Sequence, residues 1–219
     1  MKYYQFIGDK SDNLPIGKII CLARNYKKHA EEMNVIPSNT PVFFLKPSSS
    51  IIYSGDTIRI PKQSKSLHHE VEMGVVIGKD GKNIDINKAY DYIWGYNVCL
   101  DITARDIQSH SKRHGLPWTI AKGFDTFAPI SPVIQKAAIK NPHNIDISLK
   151  VNNAIKQRSN TNKMIWTIPE IISYISDVMT LECGDLIMTG TPEGIGQIKK
   201  EDILYASLGS YCSLKVDVI

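Results

Sequence analysis

The hydrophobic and polar positions along this chain predict many short strands and few helices. Some strand-like runs are continuously apolar, as in residues 42–45, and others alternate with polar positions, as in residues 145–151. Continuous apolar runs are typical of buried strands, whereas alternation indicates one solvated face. Further strands are predicted at residues 18–22, 57–60, 70–77, 93–100 and 186–189 and in a terminal pair near Leu204 and 214–218.

Helical patterns are shorter and less frequent. Composition favours a short helix at residues 25–33 and another at residues 103–108. The clearest helix start is Thr167-Ile168-Pro169-Glu170, with a threonine cap, a proline in the first turn and a glutamate three residues after the cap. Because helices do not alternate regularly with strands, we predict a mostly β, α+β fold with a curved mixed or antiparallel sheet, rather than a doubly wound sheet.

Composition narrows the class of protein. A chain of 219 residues with 42% hydrophobic residues can form a substantial core, and we predict one domain over residues 1–219. The net charge of +4 comes from scattered lysines, which argues against a nucleic-acid partner. The four cysteines have no C-x-x-C spacing, so we expect buried free thiols. No signal peptide or membrane span is evident, and a cytoplasmic location is predicted.

Three carboxylates suggest a metal site. A strand through Glu70 and Glu72 would place both side chains on one face, where they repel unless a cation lies between them. Asp101 ends the apolar run 93–100 and is a third candidate ligand. Hard oxygen ligands suit one Mg²⁺ or Mn²⁺ per site, with Ca²⁺ less apt for catalysis. The alternative to a metal site is that Glu70 and Glu72 simply lie on the solvated face of an edge strand. His68 would share the face of the glutamates as a neighbour of the ligands.

Two further features carry possible chemistry. His29 and Glu32 are three residues apart and would share a helical face, although a histidine on a lysine-rich helix is more often a solvated surface residue. Lys122 follows an apolar run, where it could enter a site or simply extend to solvent. The loop 190–196 lacks the Gly-Lys-Ser/Thr ending of a phosphate-binding loop, so no nucleotide site is predicted.

Six motifs, in order along nearly the whole chain, resemble the fumarylacetoacetate hydrolase family, in particular its compact acylpyruvate hydrolase and oxaloacetate decarboxylase type. One departure is Ala23, where relatives often have glycine. The matching segments are Arg24-Asn25-Tyr26-Lys27-Lys28-His29, Phe44-Leu45-Lys46-Pro47, His68-His69-Glu70-Val71-Glu72, Leu100-Asp101-Ile102-Thr103-Ala104-Arg105-Asp106, Pro117-Trp118-Thr119-Ile120-Ala121-Lys122 and Thr189-Gly190-Thr191-Pro192-Glu193-Gly194.

The resemblance implies a mixed β-sandwich roll of the family's C-terminal-domain type with a few short helices, commonly assembled as a homodimer. It implies a divalent metal ion on Glu70, Glu72 and Asp101, and a catalytic pair formed by His29 and Glu32. It also favours an active-site role for Lys122 and substrate contacts from Arg24, Gln108 and Thr191. Arg24 could hold the substrate carboxylate through a bidentate contact.

The function implied is metal-dependent cleavage of a carbon–carbon bond in a small 2-oxo acid. The reaction would be hydrolysis of an acylpyruvate to pyruvate and a carboxylic acid, decarboxylation of oxaloacetate through a metal-bound enolate, or both. Within the enzyme class, the alternative is a hydratase or isomerase of 2-oxo-dienoates in aromatic catabolism. From another class, the alternative is a noncatalytic, metal-stabilised binding module. The sequence does not determine the acyl group, the pathway or the physiological metal.

Overall fold

The structure is a computed structural model that describes residues 1–8, 13–33, 36 and 38–219. Short strands dominate it, as the hydrophobic pattern predicts. They are β1 (Ile19–Ala23), β2 (Val42–Lys46), β3 (Ile51–Tyr53), β4 (Thr57–Ile58), β5 (Leu67–His69), β6 (Val71–Ile77), β7 (Ile93–Leu100), β8 (Thr103–Ala104), β9 (Ala128–Ile130), β10 (Ile134–Gln135), β11 (Asp146–Val151), β12 (Ala154–Asn160), β13 (Leu186–Met188), β14 (Gly196–Ile198), β15 (Ile203–Leu208) and β16 (Cys212–Val218).

In the described part of the chain, four α-helices lie between the strands: α1 (Lys27–Glu32), α2 (Arg105–His114), α3 (Thr119–Lys122) and α4 (Ile168–Val178). The predicted start of α4 is confirmed, because the Glu170 carboxylate accepts hydrogen bonds from the Thr167 backbone N–H and hydroxyl, both at 2.7 Å. The helix predicted at residues 103–108 begins two residues late. Thr103 and Ala104 pair with β5 instead, and this strand pairing positions the start of α2.

The largest sheet has the strand order β2-β1-β13-β6-β7-β9-β3, with β10 also paired to β7. It is mixed, since β1 runs parallel to β13 while β6 is antiparallel to both of its neighbours. Every residue of β6 is buried, and apart from Glu72 and Gly74 the strand consists of valine, methionine and isoleucine. The strands β1, β6, β7 and β13 therefore form a rigid centre from which loops project.

A five-stranded sheet with the order β12-β11-β15-β16-β4 packs on the large sheet, and a small sheet, β14-β5-β8, completes the roll. The main core contains Met73 and Val98 from the large sheet together with Leu149 and Leu214 from the five-stranded sheet. A second cluster, including Ile19 and Val76, fills the opposite face of the large sheet. The predicted mostly β, mixed roll is confirmed.

The cysteines carry no disulfide. Cys21, Cys99 and Cys212 are buried free thiols, as predicted, but Cys183 is exposed because it lies in the turn before β13. Among the helices that the structure describes, none is long and apolar enough to cross a membrane.

Candidate active site

The three predicted metal ligands converge at one end of the β6–β7 ladder. Glu70 does not belong to the predicted continuous strand, because it occupies the break between β5 and β6. Val71 pairs with Leu100, and the Asp101 N–H donates to the Glu70 carbonyl at 2.9 Å, so the ladder sets Glu70 beside Asp101. Glu72 follows on β6. One oxygen from each carboxylate lies within 4.8 Å of the others, and all three residues are buried.

The two glutamates have opposite electrostatic environments. Burial, Asp101 and Glu70 together raise the pKa of Glu72 well above its usual range. The Glu72 carboxyl accepts a hydrogen bond from the Gly190 N–H, at 2.7 Å. Burial also opposes ionisation of Glu70, but the charges of Lys122 and Arg105 outweigh it and hold the pKa of Glu70 well below its usual range. The ionised site thus holds more negative charge at Glu72 than the protein compensates.

Lys122 lies against the carboxylates rather than in solvent. Its Nζ donates to Glu70 at 3.0 Å, to Asp101 Oδ2 at 2.5 Å and to the Thr103 hydroxyl at 2.6 Å. Burial favours the neutral amine, yet Asp101 and Glu70 dominate and raise the pKa of Lys122. It is therefore an ammonium whose three donors are all used, so it supplies positive charge beside the carboxylates and is unsuited to acting as a base.

Lys46 is a second buried ammonium, behind Asp101. Its three N–H bonds donate to the carbonyl oxygens of Ile102, Lys122 and Phe127, at 3.0, 2.6 and 2.9 Å. Asp101 Oδ1 is 2.8 Å from the Lys46 Nζ but accepts no hydrogen bond, although it is buried. Lys46 thus supplies positive charge to Asp101 and leaves the Oδ1 lone pairs without a hydrogen-bond donor.

These observations fit a divalent cation. The donor set is all oxygen, Asp101 Oδ1 lacks a hydrogen-bond donor, and Glu72 carries a buried charge without a cationic partner in the described part of the chain. Hard cations such as Mg²⁺ and Mn²⁺ bind such carboxylates and keep positions for water or a ligand. The residues that would hold the ion are Glu70, Glu72 and Asp101.

Replacing Lys46 with methionine is expected to destabilise the protein by about 3–5 kcal/mol, because removing one partner of a buried ion pair leaves a poorly compensated charge. Three carbonyl groups would also lose their hydrogen bond from Lys46. Urea unfolding monitored by circular dichroism measures the change. The control is Lys150→Met on the exposed face of β11, expected to change stability by less than about 0.5 kcal/mol. Similar small changes in both variants would contradict the role of Lys46.

The predicted pair of His29 and Glu32 forms on α1. His29 Nδ1 is 3.2 Å from Glu32 Oε2, and the Gly194 N–H donates to both Glu32 oxygens at 3.2 and 3.3 Å. His29 is buried and lines the same pocket as the three carboxylates, whereas Glu32 stands behind it, with its side chain one-third exposed (34%). Glu32 therefore joins α1 to the loop after β13 and orients the imidazole from outside the pocket.

The predicted substrate residues also line this pocket. Arg24, Gln108 and Thr191 are among its lining side chains, together with Arg105, Lys112, Phe44 and Trp118. Arg24 has a φ of 61°, in the left-handed region that costs a non-glycine residue on the order of 1 kcal/mol. Gln108 Oε1 accepts a 2.5 Å hydrogen bond from Arg105, which also pairs with Glu70. His68, predicted as a neighbour of the metal ligands, does not line this pocket. Burial and Arg105 lower its pKa to about 4, so it is neutral.

Gln157 supports the site from β12 and was not predicted. Its Nε2 donates to the Thr191 hydroxyl at 2.8 Å and to the Pro192 carbonyl at 2.9 Å. Its Oε1 accepts from the Val71 N–H at 3.0 Å and lies 3.0 Å from His69 Nδ1. One buried amide therefore fixes the loop after β13 against the start of β6.

Other contributors escaped the sequence analysis for different reasons. Lys46 and Arg105 lie inside motifs that carry the family resemblance, so their positions gave a signal but no role. Lys112 and Gln157 lie outside those motifs, and nothing in their local pattern distinguishes them from surface residues. Only the folded chain brings Lys112 to the pocket and Gln157 under the loop.

Comparison with known proteins agrees with this geometry. The family model described as fumarylacetoacetate (FAA) hydrolase C-terminal matches residues 18–219. The chain is 49% identical over 205 residues to a mitochondrial oxaloacetate decarboxylase of Dictyostelium discoideum, covering 92% of this chain and 94% of that protein. It is 48% identical over 202 residues to the mitochondrial oxaloacetate tautomerase FAHD1 of Arabidopsis thaliana, covering 92% and 90%.

The fold has a similar counterpart among solved structures. Fumarylpyruvate hydrolase from Pseudomonas aeruginosa, crystallised with Mn²⁺ and pyruvate, superposes with a TM-score of 0.94 at 35% identity, covering 99% of this chain and 95% of that one. These matches define an enzyme family. The chain belongs to the fumarylacetoacetate hydrolase family.

Proposed function

We propose that this protein cleaves a carbon–carbon bond in small 2-oxo acids, with a divalent metal ion on Glu70, Glu72 and Asp101. Its reactions are hydrolysis of acylpyruvates to pyruvate and a carboxylic acid, and decarboxylation of oxaloacetate. The observation that carries the proposal is the convergence in one pocket of the carboxylate cluster, the Lys122 ammonium and the His29 imidazole. The names of the relatives support the same chemistry.

The metal ion, when bound, supplies a Lewis acid that favours negative charge on the keto oxygen of the substrate. Lys122 adds a fixed positive charge beside that position, since it is buried and hydrogen-bonded to Glu70 and Asp101. Arg24 and Thr191 line the pocket where they would bind the substrate carboxylate. These residues bind and orient the 2-oxo acid and stabilise the charge that develops on it.

The pair of His29 and Glu32 activates water for hydrolysis. His29 faces the pocket and Glu32 contacts its Nδ1, so the pair accepts the proton of the attacking water as one unit. Glu32 stabilises the imidazolium that forms, and the Gly194 N–H holds the carboxylate in position. Decarboxylation needs no attacking water, because loss of CO₂ itself leaves the electron pair on the substrate. One pocket therefore serves both reactions, but only hydrolysis requires His29 and Glu32 to accept a proton from water.

The test is a parallel assay of acetylpyruvate, fumarylpyruvate and oxaloacetate with Mg²⁺ or Mn²⁺. We expect pyruvate from at least one of them, loss of turnover after exhaustive chelation and recovery when the metal is restored. Metal ion without protein is the control. Full activity after chelation would contradict the metal requirement.

The same assay separates the alternatives. Loss of enol absorbance without pyruvate would indicate an isomerase or tautomerase, and hydration of a 2-oxo-dienoate would indicate a hydratase. Metal binding with no turnover of any substrate would indicate a noncatalytic module. The homodimer, the cytoplasmic location and the choice between Mg²⁺ and Mn²⁺ stay predictions that these substrates do not address.

A further inference from the structure

Helix α2 presents one polar face to the pocket. Arg105, Gln108 and Lys112 are spaced by three and four residues, so they share one side of the helix, and all three line the pocket. Arg105 and Gln108 bond to each other, and Arg105 also pairs with Glu70. Lys112 lies one turn further along, so it extends the polar face away from the carboxylates.

Lys112 adds a cation that the pocket does not neutralise. In the part of the chain that the structure describes, neither Lys112 nor Arg24 forms a salt bridge. Partial burial lowers the pKa of Lys112, and the charges of Arg105 and Arg24 lower it further, against the opposite effect of Glu70. Crowded positive charges repel unless an anion lies among them, just as crowded carboxylates require a cation.

The ammonium of Lys112 has a defined position. Its Nζ lies 5.3 Å from the centre of the Trp118 ring, and Trp118 packs edge-on against Phe44. Trp118 and Phe44 also line the pocket. A cation held over an aromatic face loses less conformational freedom on binding an anion than a freely moving lysine does.

The pocket has a second cation at another position. Arg24 follows β1, next to the loop that carries Thr191, because the Gly190 backbone packs against Asn25 and Leu22. Lys112 instead projects from α2, beyond Arg105 and Gln108. Two cations on separate elements of one pocket match an anion that carries two negative charges.

We propose that Lys112 is a specificity-determining residue that binds the carboxylate at the far end of the substrate, selecting 2-oxo acids with a second carboxylate over those with an uncharged end. This inference rests on the proposed function. Arg24 and Thr191 hold the carboxylate next to the keto group, and Lys112 holds the distal one.

The chemistry of each substrate predicts whether the loss of the Lys112 charge changes KM or kcat. The distal carboxylate of fumarylpyruvate does not react, so its contact with Lys112 is equal in ground and transition states and lowers KM alone. The distal carboxylate of oxaloacetate departs as CO₂ and loses its charge, so the same contact stabilises the ground state more. Removing the Lys112 charge should therefore raise KM without lowering kcat.

The experiment compares Lys112→Met, Lys112→Arg and Arg113→Met in kinetics with fumarylpyruvate, oxaloacetate and acetylpyruvate. Arg113 is the matched control, an exposed cation on the same helix that does not line the pocket. For Lys112→Met we expect kcat/KM to fall about tenfold to a hundredfold with fumarylpyruvate, the size of a lost charge-assisted contact. It should fall less with oxaloacetate, whose distal carboxylate loses its charge in the transition state. The fall with acetylpyruvate should be at least tenfold smaller, and Lys112→Arg should recover most of the loss. Equal falls with all three substrates would overturn the assignment.

Binding of unreactive ligands separates this inference from the proposed reaction. With Mn²⁺ present, calorimetry compares 2-oxoglutarate, which has a distal carboxylate, with 2-oxopentanoate, which has none. Tighter binding of 2-oxoglutarate by the unchanged protein, lost in Lys112→Met, would support the role of Lys112 even if no substrate were turned over. Equal affinities in the unchanged protein, or failure to bind either ligand, would overturn it.

Discussion

Replacing Glu72 with glutamine is expected to abolish turnover and, at the same time, to stabilise the metal-free protein. The variant loses one of three charged ligands, so we expect activity to fall on the order of a thousandfold or more, together with loss of Mn²⁺ binding. The stability gain, about 1–3 kcal/mol, arises because glutamine removes a buried carboxylate that lacks a cationic partner. Its amide oxygen can still accept from the Gly190 N–H. Calorimetry and urea unfolding of the metal-free proteins measure both effects.

The pH dependence of this gain has a defined sign. Because the folded-state pKa of Glu72 is raised above its ordinary value of 4.5, the ionised form destabilises the metal-free fold, and the penalty grows as pH rises above 4.5. The advantage of Glu72→Gln should therefore shrink as the pH is lowered toward 4.5, where the unchanged protein keeps its proton. An advantage independent of pH would point to packing instead.

Glu70→Gln provides the matched control, with the same chemical change in the same site. Lys122 and Arg105 hold the pKa of Glu70 below its usual range, so its charge stabilises the fold. Glu70→Gln should also lose activity but should destabilise the metal-free protein. Stability changes of the same sign in both variants would contradict the difference between the two glutamates.

Replacing Glu32 with glutamine should separate the two proposed reactions. Acylpyruvate hydrolysis should fall about a hundredfold to ten-thousandfold, the usual contribution of a general base, because the His29 imidazolium loses its carboxylate partner. Oxaloacetate decarboxylation needs no attacking water and should fall less than about tenfold. Pyruvate release from acetylpyruvate and from oxaloacetate measures both rates.

The control for Glu32→Gln is Glu31→Gln, the preceding residue of α1, which is exposed and pairs with Lys27 at 4.0 Å. It should leave both reactions within about twofold, since exposed ion pairs contribute little. Equal loss of hydrolysis and decarboxylation in Glu32→Gln would show that the pair serves a step common to both reactions, against separate roles.

The sequence predicted the strands and the closeness of Glu70 and Glu72, because both depend on local patterns. The burial of β6 follows from its apolar residues Val71, Met73 and 75–77, and the two-residue repeat of extended chain brings Glu72 near Glu70. The exact place of Glu70, in the break between β5 and β6, depends on how β5 pairs with β8 and β14. That pairing joins residues that are distant along the chain, so no local sequence pattern predicts it.

Buried cations were harder to predict than carboxylates. Lys46 ends an edge strand and has the appearance of a solvated lysine, yet its side chain is completely buried because three carbonyl groups from distant segments converge on its ammonium. The place of Glu32 behind His29 similarly depends on Gly194, more than 160 residues further along the chain. Such contacts arise from tertiary packing, which spacing along the sequence does not encode.

The Gln157 side chain connects two layers of the fold. It belongs to the five-stranded sheet, but its amide bonds the loop around Thr191 to the first residue of β6 in the large sheet. The position of this loop, which carries the pocket residue Thr191, thus depends on a side chain from the other layer. A change that loosens the packing between the two layers is therefore expected to displace Thr191 even where the pairing within each sheet persists.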